Sequence, residues 1–122
     1  MEQWNKGLIA HLGIRIVETT PDRVVGELEI REELKTVTNA VHGGTLMAFA
    51  DTIGAVGTAA QGFKTATLES KTNFFAAASA GKLRAEATAL HKGKRSHVWQ
   101  TRVTDENGRL LSMTIQTQMI LG

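Results

Sequence analysis

Residues 38–60 read TNAVHGGTLMAFADTIGAVGTAA, and the rest of the chain is arranged around this stretch. Its composition is that of a buried helix with a polar start. Two adjacent glycines, Gly43 and Gly44, follow His42, and a single carboxylate, Asp51, interrupts a run of apolar and small residues. At about 100° per residue, Leu46, Phe49, Ile53, Val56 and Ala60 fall on one face, a spacing suited to packing on a sheet. Gly44, Ala48, Asp51, Ala55 and Thr58 fall on the other face, so Asp51 is expected to point away from the helix's own sheet. An ordinary solvated face carries Lys, Glu and Gln. Here the neighbours of Asp51 are small enough for another backbone or a slender ligand to approach. Burying an unpaired charge there costs several kcal/mol or shifts its pKa upward; the plainer alternative is a helix-surface Asp facing water.

The glycines supply the complementary feature. The first backbone N–H groups of a helix have no partner within it and carry partial positive charge. With no side chain at Gly43 or Gly44, a ligand oxygen can reach those donors, as in an oxyanion site. The simpler alternative is that the glycines only turn the loop into the helix. Eight residues separate Gly43 from Asp51, about 12 Å along a helix axis. One helix cannot bring both groups onto one reacting atom, but a second copy related by a two-fold axis can.

The chain has 122 residues and a formal net charge of +2. That length suits one domain spanning residues 1–122 with a modest core. Without cysteine there is no disulfide framework, thiol nucleophile or cysteine metal site. His11, His91 and His97 lack metal-ligand spacing, so no metal is expected. Ser70, Ser79 and Ser112 lack the strand–turn–helix setting of a serine nucleophile. No run is long enough to span a membrane, and MEQWNKGLIAHLG is too polar for a signal peptide. A cytoplasmic location is the default. The scattered basic residues and few aromatics do not indicate a nucleic-acid partner. They suit a phosphate-bearing small molecule equally well.

Outward from the central stretch, residues 3–12 read as a short amphipathic helix with Trp4, Leu8 and Ile9 apolar, stopped by Gly13. Residues 14–20 and 24–31 read as strands joined at Pro21-Asp22. Residues 32–42 form a loop. After Gly62 come strands at 65–75, 83–91, 96–105 and 110–121, with turns at Lys92-Gly93 and Asn107-Gly108. Met47, Met113 and Met119 are expected in the core or lining a pocket. This order predicts an α+β layout, one antiparallel sheet around one helix.

Val41-His42-Gly43-Gly44 followed by Ala50-Asp51, with Asn73-Phe74-Phe75 through Gly81-Lys82-Leu83 and Asp105 to Leu110, resembles the hotdog-fold acyl-CoA thioesterases of the phenylacetate-degradation type. The resemblance covers nearly the whole chain. It implies a six-stranded antiparallel sheet wrapped around the long helix. It also implies a homodimer with sites between subunits, often paired into a homotetramer, and hydrolysis of an acyl-CoA thioester without a cofactor. In similar enzymes the N–H at the position of Gly43 polarises the thioester carbonyl. The carboxylate matching Asp51, from the opposite subunit, acts as nucleophile or as general base on water, and a hydroxyl matching Thr67 helps position the water. His42 is a further catalytic candidate, read first as a side chain that fixes the loop and second as a base. Gly44, Asn39, Thr36 and Ala55 complete the candidate substrate-binding set.

The chain departs from that pattern twice. Thr36 stands where an Asn or Gln six residues before the histidine is common, and Asn39 stands where a glycine is common. Asn tolerates a left-handed backbone, so Asn39 reads as a turn substitute. Ala76-Ala77-Ala78-Ser79-Ala80 replaces a segment that often carries arginines and a proline near the coenzyme A phosphates. Lys64, Lys82, Lys92, Lys94 and Arg95 are the alternative cations. Two other functions on this fold compete with hydrolysis. One is a non-catalytic acyl-CoA binding module, against which Asp51 and Thr67 are both present. The other is a hydratase or dehydratase, which calls for a nearby Asp and His pair, whereas no histidine follows Asp51 until His91.

Overall fold

The computed structural model describes residues 2–122. The central helix, α2, runs Gly43–Ala59. His42 caps it: its backbone is extended, and its ring Nδ1 accepts the Gly44 N–H at 2.7 Å. Leu46, Phe49, Ile53 and Val56 are at most 3% exposed and form the buried face, whereas Ala60 lies beyond the helix end and is exposed.

Six strands, β1 (Arg15–Thr20), β2 (Arg23–Glu29), β3 (Thr65–Phe74), β4 (Lys82–Lys92), β5 (Ser96–Thr104) and β6 (Leu110–Ile120), form one antiparallel sheet in the order β1-β2-β4-β5-β6-β3. The sheet holds α2 against its inner face. On β2 and β4 the inward positions are Val24, Gly26 and Leu28, paired with Ala87, Ala85 and Leu83, all buried. The small residues admit the Ile53 side chain, which occupies the place of a Cβ on Gly26.

The other half of the sheet departs from the hydrophobic pattern. On β6 Leu111 joins the apolar core, but from there on the fully buried, inward-facing residues are Ser112, Thr114, Gln116 and Gln118, whereas Ile115 and Met119 are exposed on the outside. The inward amides are matched to partners. Gln116 Nε2 donates to the Ala50 carbonyl at 2.7 Å, and Thr101 Oγ1 donates to Gln116 Oε1 at 3.1 Å. Buried polar atoms with partners avoid the desolvation penalty of unpaired ones.

Four expectations need correction. The N-terminal helix is split into a single turn, Glu2–Trp4, and α1, Gly7–Leu12, because Lys6 is extended and Gly7 adopts φ +53°. Within this region Trp4 and Ile9 pack against the core, but Leu8 is largely exposed. Thr58 does not lie on the free face of α2. It is fully buried, accepting the Trp99 Nε1–H at 2.9 Å and bonding His97 Nδ1 at 3.0 Å. The sheet curls far enough round the C-terminal half of the helix to cover that position. His97 is therefore structural rather than incidental; burial, then the charges of Lys92 and His91, holds its imidazole below the ordinary value. The methionines are not core: Met47 and Met119 are exposed and Met113 is half-buried.

The close contact between α2 and the sheet yields a stability prediction. A Cβ on Gly57 would lie 2.5 Å from the Trp99 ring. Alanine has a helix-propensity advantage of about 1 kcal/mol over glycine. Gly57→Ala is nevertheless expected to destabilise, by roughly 1–3 kcal/mol through overpacking, measured by urea unfolding followed on Trp99 fluorescence.

The β5–β6 hairpin yields a pH prediction. Asp105 Oδ1 accepts the N–H groups of Asn107 and Arg109, both at 2.9 Å. The Arg109 N–H, followed after an opposing desolvation effect by the Asn107 N–H and the Arg109 charge, holds this carboxyl below the ordinary value. A depressed folded-state pKa contributes stability that is complete above the unfolded value of about 3.9 and is lost as pH falls through the folded value. Asp105→Ala should therefore be less stable than wild type at neutral pH, and the gap should close below about pH 4 in acid titrations of thermal unfolding.

Candidate active site

Asp51 sits halfway along α2, partly buried, where the helix passes the edge strand β3. Thr67 Oγ1 donates to Asp51 Oδ1 at 2.7 Å. The carboxylate thus does not simply point away from the helix's own sheet: it is tied to the sheet's rim. Because Thr67 takes Oδ1, Oδ2 is the oxygen left for chemistry. A register shift between Thr67 and Glu69 marks a bulge at this point of β3. Bulges re-aim side chains, and this one lies beside the residue that meets Asp51.

Beside Asp51 a cavity of about 190 Å³ opens on the small-residue face. Ala55, Ala59, Thr52 and Val56 form its helical side, Trp4 and Ile9 come from the N-terminal segment, and Thr65 comes from β3. Ala55 is therefore next to Asp51 in a pocket, as its place on the wheel suggested.

The other donor group lies at the start of α2. The Gly43 N–H has no acceptor among the described residues. The Gly44 N–H is taken by His42 Nδ1, so of the two glycines only Gly43 offers a donor. That bond also bears on His42. With Nδ1 accepting, the neutral ring carries its proton on Nε2, so the ring's basic nitrogen is occupied by the cap. Phe74 covers Gly43, its ring 3.3 Å from where a Cβ would stand.

Thr36 and Asn39 are absorbed by the loop before the helix. Thr36 Oγ1 accepts the Thr38 N–H and bonds the Thr38 hydroxyl, while Asn39 adopts φ +68° and accepts from Lys35 Nζ. Asn39 has the left-handed conformation expected of a turn substitute. Among the candidate phosphate ligands, Lys82 pairs with Glu27 and Lys92 with Asp22. Lys64, Lys94 and Arg95 have no carboxylate within ion-pair distance among the described residues.

Two side chains near these groups escaped sequence reasoning. Arg109 Nη2 donates to the Ala77 carbonyl, bringing a guanidinium to the alanine-rich segment. Gln118, fully buried, donates from Nε2 to Thr67 Oγ1 at 2.8 Å. The available signal for Gln118 was the alternation Ser112, Thr114, Gln116, Gln118 on a strand whose odd positions are more apolar. Arg109 had no such signal, since its hairpin is read from Asn107-Gly108.

Comparison with known proteins places the chain in a family. The thioesterase superfamily matches residues 38–112, a span that contains Gly43, Asp51 and Thr67. A 1,4-dihydroxy-2-naphthoyl-CoA hydrolase of Listeria monocytogenes is 32% identical over 88% of this chain and 90% of its own. The crystal structure of a thioesterase from Haemophilus influenzae superposes with a TM-score of 0.93 at 23% identity, covering 99% of this chain and 87% of that one. A hypothetical thioesterase protein of Streptococcus pneumoniae, solved with coenzyme A, superposes with a TM-score of 0.86 at 22% identity over 89% and 86% of the two chains. The hotdog architecture is thus shared with solved thioesterases. The extent of these matches makes the chain a member of the thioesterase superfamily, a thioester hydrolase.

Proposed function

We propose that the protein hydrolyses acyl-CoA thioesters at a site completed by two subunits, in the manner of the phenylacetate-degradation type. The observation that carries this reading is the separation of two complementary groups on one helix. Gly43 offers an unpaired N–H at the helix start. Asp51, braced by Thr67, stands about 12 Å further along. In a two-fold dimer the Gly43 N–H of one subunit polarises the thioester carbonyl while Asp51 of its partner faces the carbonyl carbon. Asp51 then attacks through Oδ2 or takes a proton from the attacking water. The carbon–sulfur bond breaks and coenzyme A leaves as its thiol. On the base route its proton is the one Asp51 took from the water; on the nucleophile route water then cleaves the acyl–Asp51 anhydride, releasing the acid, regenerating Asp51 and supplying the proton. The cavity beside Asp51 is the place for the acyl group, with Ala55 in its wall.

The names of the compared proteins support coenzyme A thioesters as the substrate class. Lys64, Lys94 and Arg95 are the candidates for the phosphates. The exposed apolar side chains Leu68, Phe74, Phe75, Ile115 and Met119, on and beside the edge strand β3 and its neighbour β6, support the homodimer and its pairing into a homotetramer as surface left for a partner to cover. A cytoplasmic site of action belongs to the same reading, because coenzyme A thioesters are the substrates.

Free-thiol release from a panel of aromatic and straight-chain acyl-CoAs is the direct assay. Asp51→Asn should lower kcat/KM by about 10²–10⁴-fold with the fold intact; retention of more than about a tenth would remove Asp51 from the chemistry. Thr67→Ala should cost about tenfold, one hydrogen bond's worth.

The shared site has its own test. Asp51→Asn and Gly43→Pro, the latter lacking the N–H, should each be nearly inactive as homodimers. Unfolded and refolded together in equal amounts, about half of the dimers are mixed. Each mixed dimer has one site with both lesions and one with neither, so about a quarter of wild-type activity should return. If both groups served one site from the same subunit, none would return. Dimer formation by Gly43→Pro is verified first by light scattering.

A further inference from the structure

Thr67 has one hydroxyl proton and two polar neighbours within hydrogen-bond distance, Asp51 Oδ1 at 2.7 Å and the Gln118 side-chain amide at 2.8 Å. A carboxylate accepts and does not donate. Once the Thr67 proton is committed to Asp51, the neighbour on the other side of the Thr67 oxygen has to be a donor. Gln118 can meet that demand only with its NH₂ end, which directs its carbonyl the other way. There Oε1 lies 3.1 Å from Thr65 Oγ1, whose single proton is shared with the Met119 carbonyl at 2.8 Å. Gln118 is fully buried, in register with Thr67 on one side and with His97 of β5 on the other. No solvent is at hand to rescue the wrong amide orientation, so its protein partners decide it.

We infer that Gln118 is a positioning residue for hydrolysis, one that acts only through Thr67. Its amide gives the network one polarity, from Gln118 to Thr67 to Asp51. With the amide reversed, Oε1 would compete with Asp51 for the Thr67 proton. In the observed orientation the Thr67 hydroxyl has a single acceptor, so the Asp51 carboxylate is held at Oδ1 and presents Oδ2. This inference rests on the reading of Asp51 and Thr67 as site residues. It adds a requirement that reading does not contain: a buried donor on β6 that touches neither substrate nor Asp51.

The test is a double-mutant cycle on the full-length protein with the best acyl-CoA of the panel. Gln118→Met keeps the length of the side chain and removes the donor. Its kcat should fall about five- to tenfold, the effect of one hydrogen bond, with KM within about twofold of wild type. In a Thr67→Ala background the same substitution should change kcat by less than about twofold, because its only route to Asp51 is gone. A general loosening of the sheet would instead lower kcat in both backgrounds. A wild-type kcat for Gln118→Met alongside an impaired Thr67→Ala overturns the inference, as do losses that multiply in the double variant. If Asp51→Asn and Thr67→Ala are themselves fully active, the functional reading fails, and this inference with it, on a different measurement. Should Gln118→Met not fold, side-chain amide exchange by NMR decides. The Gln118 NH₂ protons should exchange at least about tenfold faster in Thr67→Ala than in wild type, and equal rates would overturn the inference.

Discussion

Where Gly54 and Gly57 face the sheet, the backbone of α2 occupies room that side chains fill elsewhere along it. The Gln116 amide lies in the space of a Cβ on Gly54, and the Trp99 ring in that of a Cβ on Gly57. Glycine within a helix costs about 1 kcal/mol relative to alanine, so these positions are retained by packing rather than by propensity. The close approach brings the Ala50 carbonyl to Gln116, and in the next residue Asp51 reaches Thr67 across the rim of β3. A helix raised by a methyl group would move that carboxylate away from its support. The stability of the core and the geometry of the candidate site therefore depend on the same spacing.

Much of this was legible in the sequence because hydrophobic periodicity and turn residues report directly on local geometry. The buried face of α2, its opening at the glycines after His42, the stop at Gly13 and all six strands follow from those signals. Sequence also brought Asp51 forward, through helical periodicity and the small residues around it, and Thr67, through resemblance alone. What it did not yield are features set by curvature. The fate of Thr58 depends on how far the sheet wraps, and a helical wheel drawn on a flat neighbour cannot contain that. Gly7 breaks the first helix through a positive φ, which glycine permits but does not advertise. Gln118 was missed for another reason: a buried amide is intelligible only when its partners on another strand are known.

The strand β6 shows how two demands on one element are reconciled. Alternation assigns the residues of a strand to two faces, and the face toward a helix is ordinarily the apolar one. Here the inner face of β6 from Ser112 to Gln118 is polar and fully buried, while Ile115 and Met119 are outside. The inner residues serve the carbonyl of Ala50, the hydroxyls of Thr101 and Thr67, and through the latter the Asp51 carboxylate. A polar inner face is sustainable because nearly every amide and hydroxyl there has a partner; Ser112, and Ser70 on the neighbouring β3, are the exceptions among the described residues. The apolar residues displaced to the outside, Ile115 and Met119, are among those that support the proposed subunit contacts.

The two tryptophans of the chain occupy contrasting environments. Trp99 is sealed in the core against Gly57, with its indole N–H bonded to Thr58. Trp4 is half-buried and forms part of the wall of the cavity beside Asp51. Indole emission shifts with the polarity around the ring, so the intrinsic fluorescence has one component tied to global packing and one tied to the cavity. A ligand entering beside Trp4 changes the second component and leaves the first in place, whereas unfolding changes both. The protein thus carries an internal pair of reporters that separates occupancy of the site from integrity of the fold, without any label.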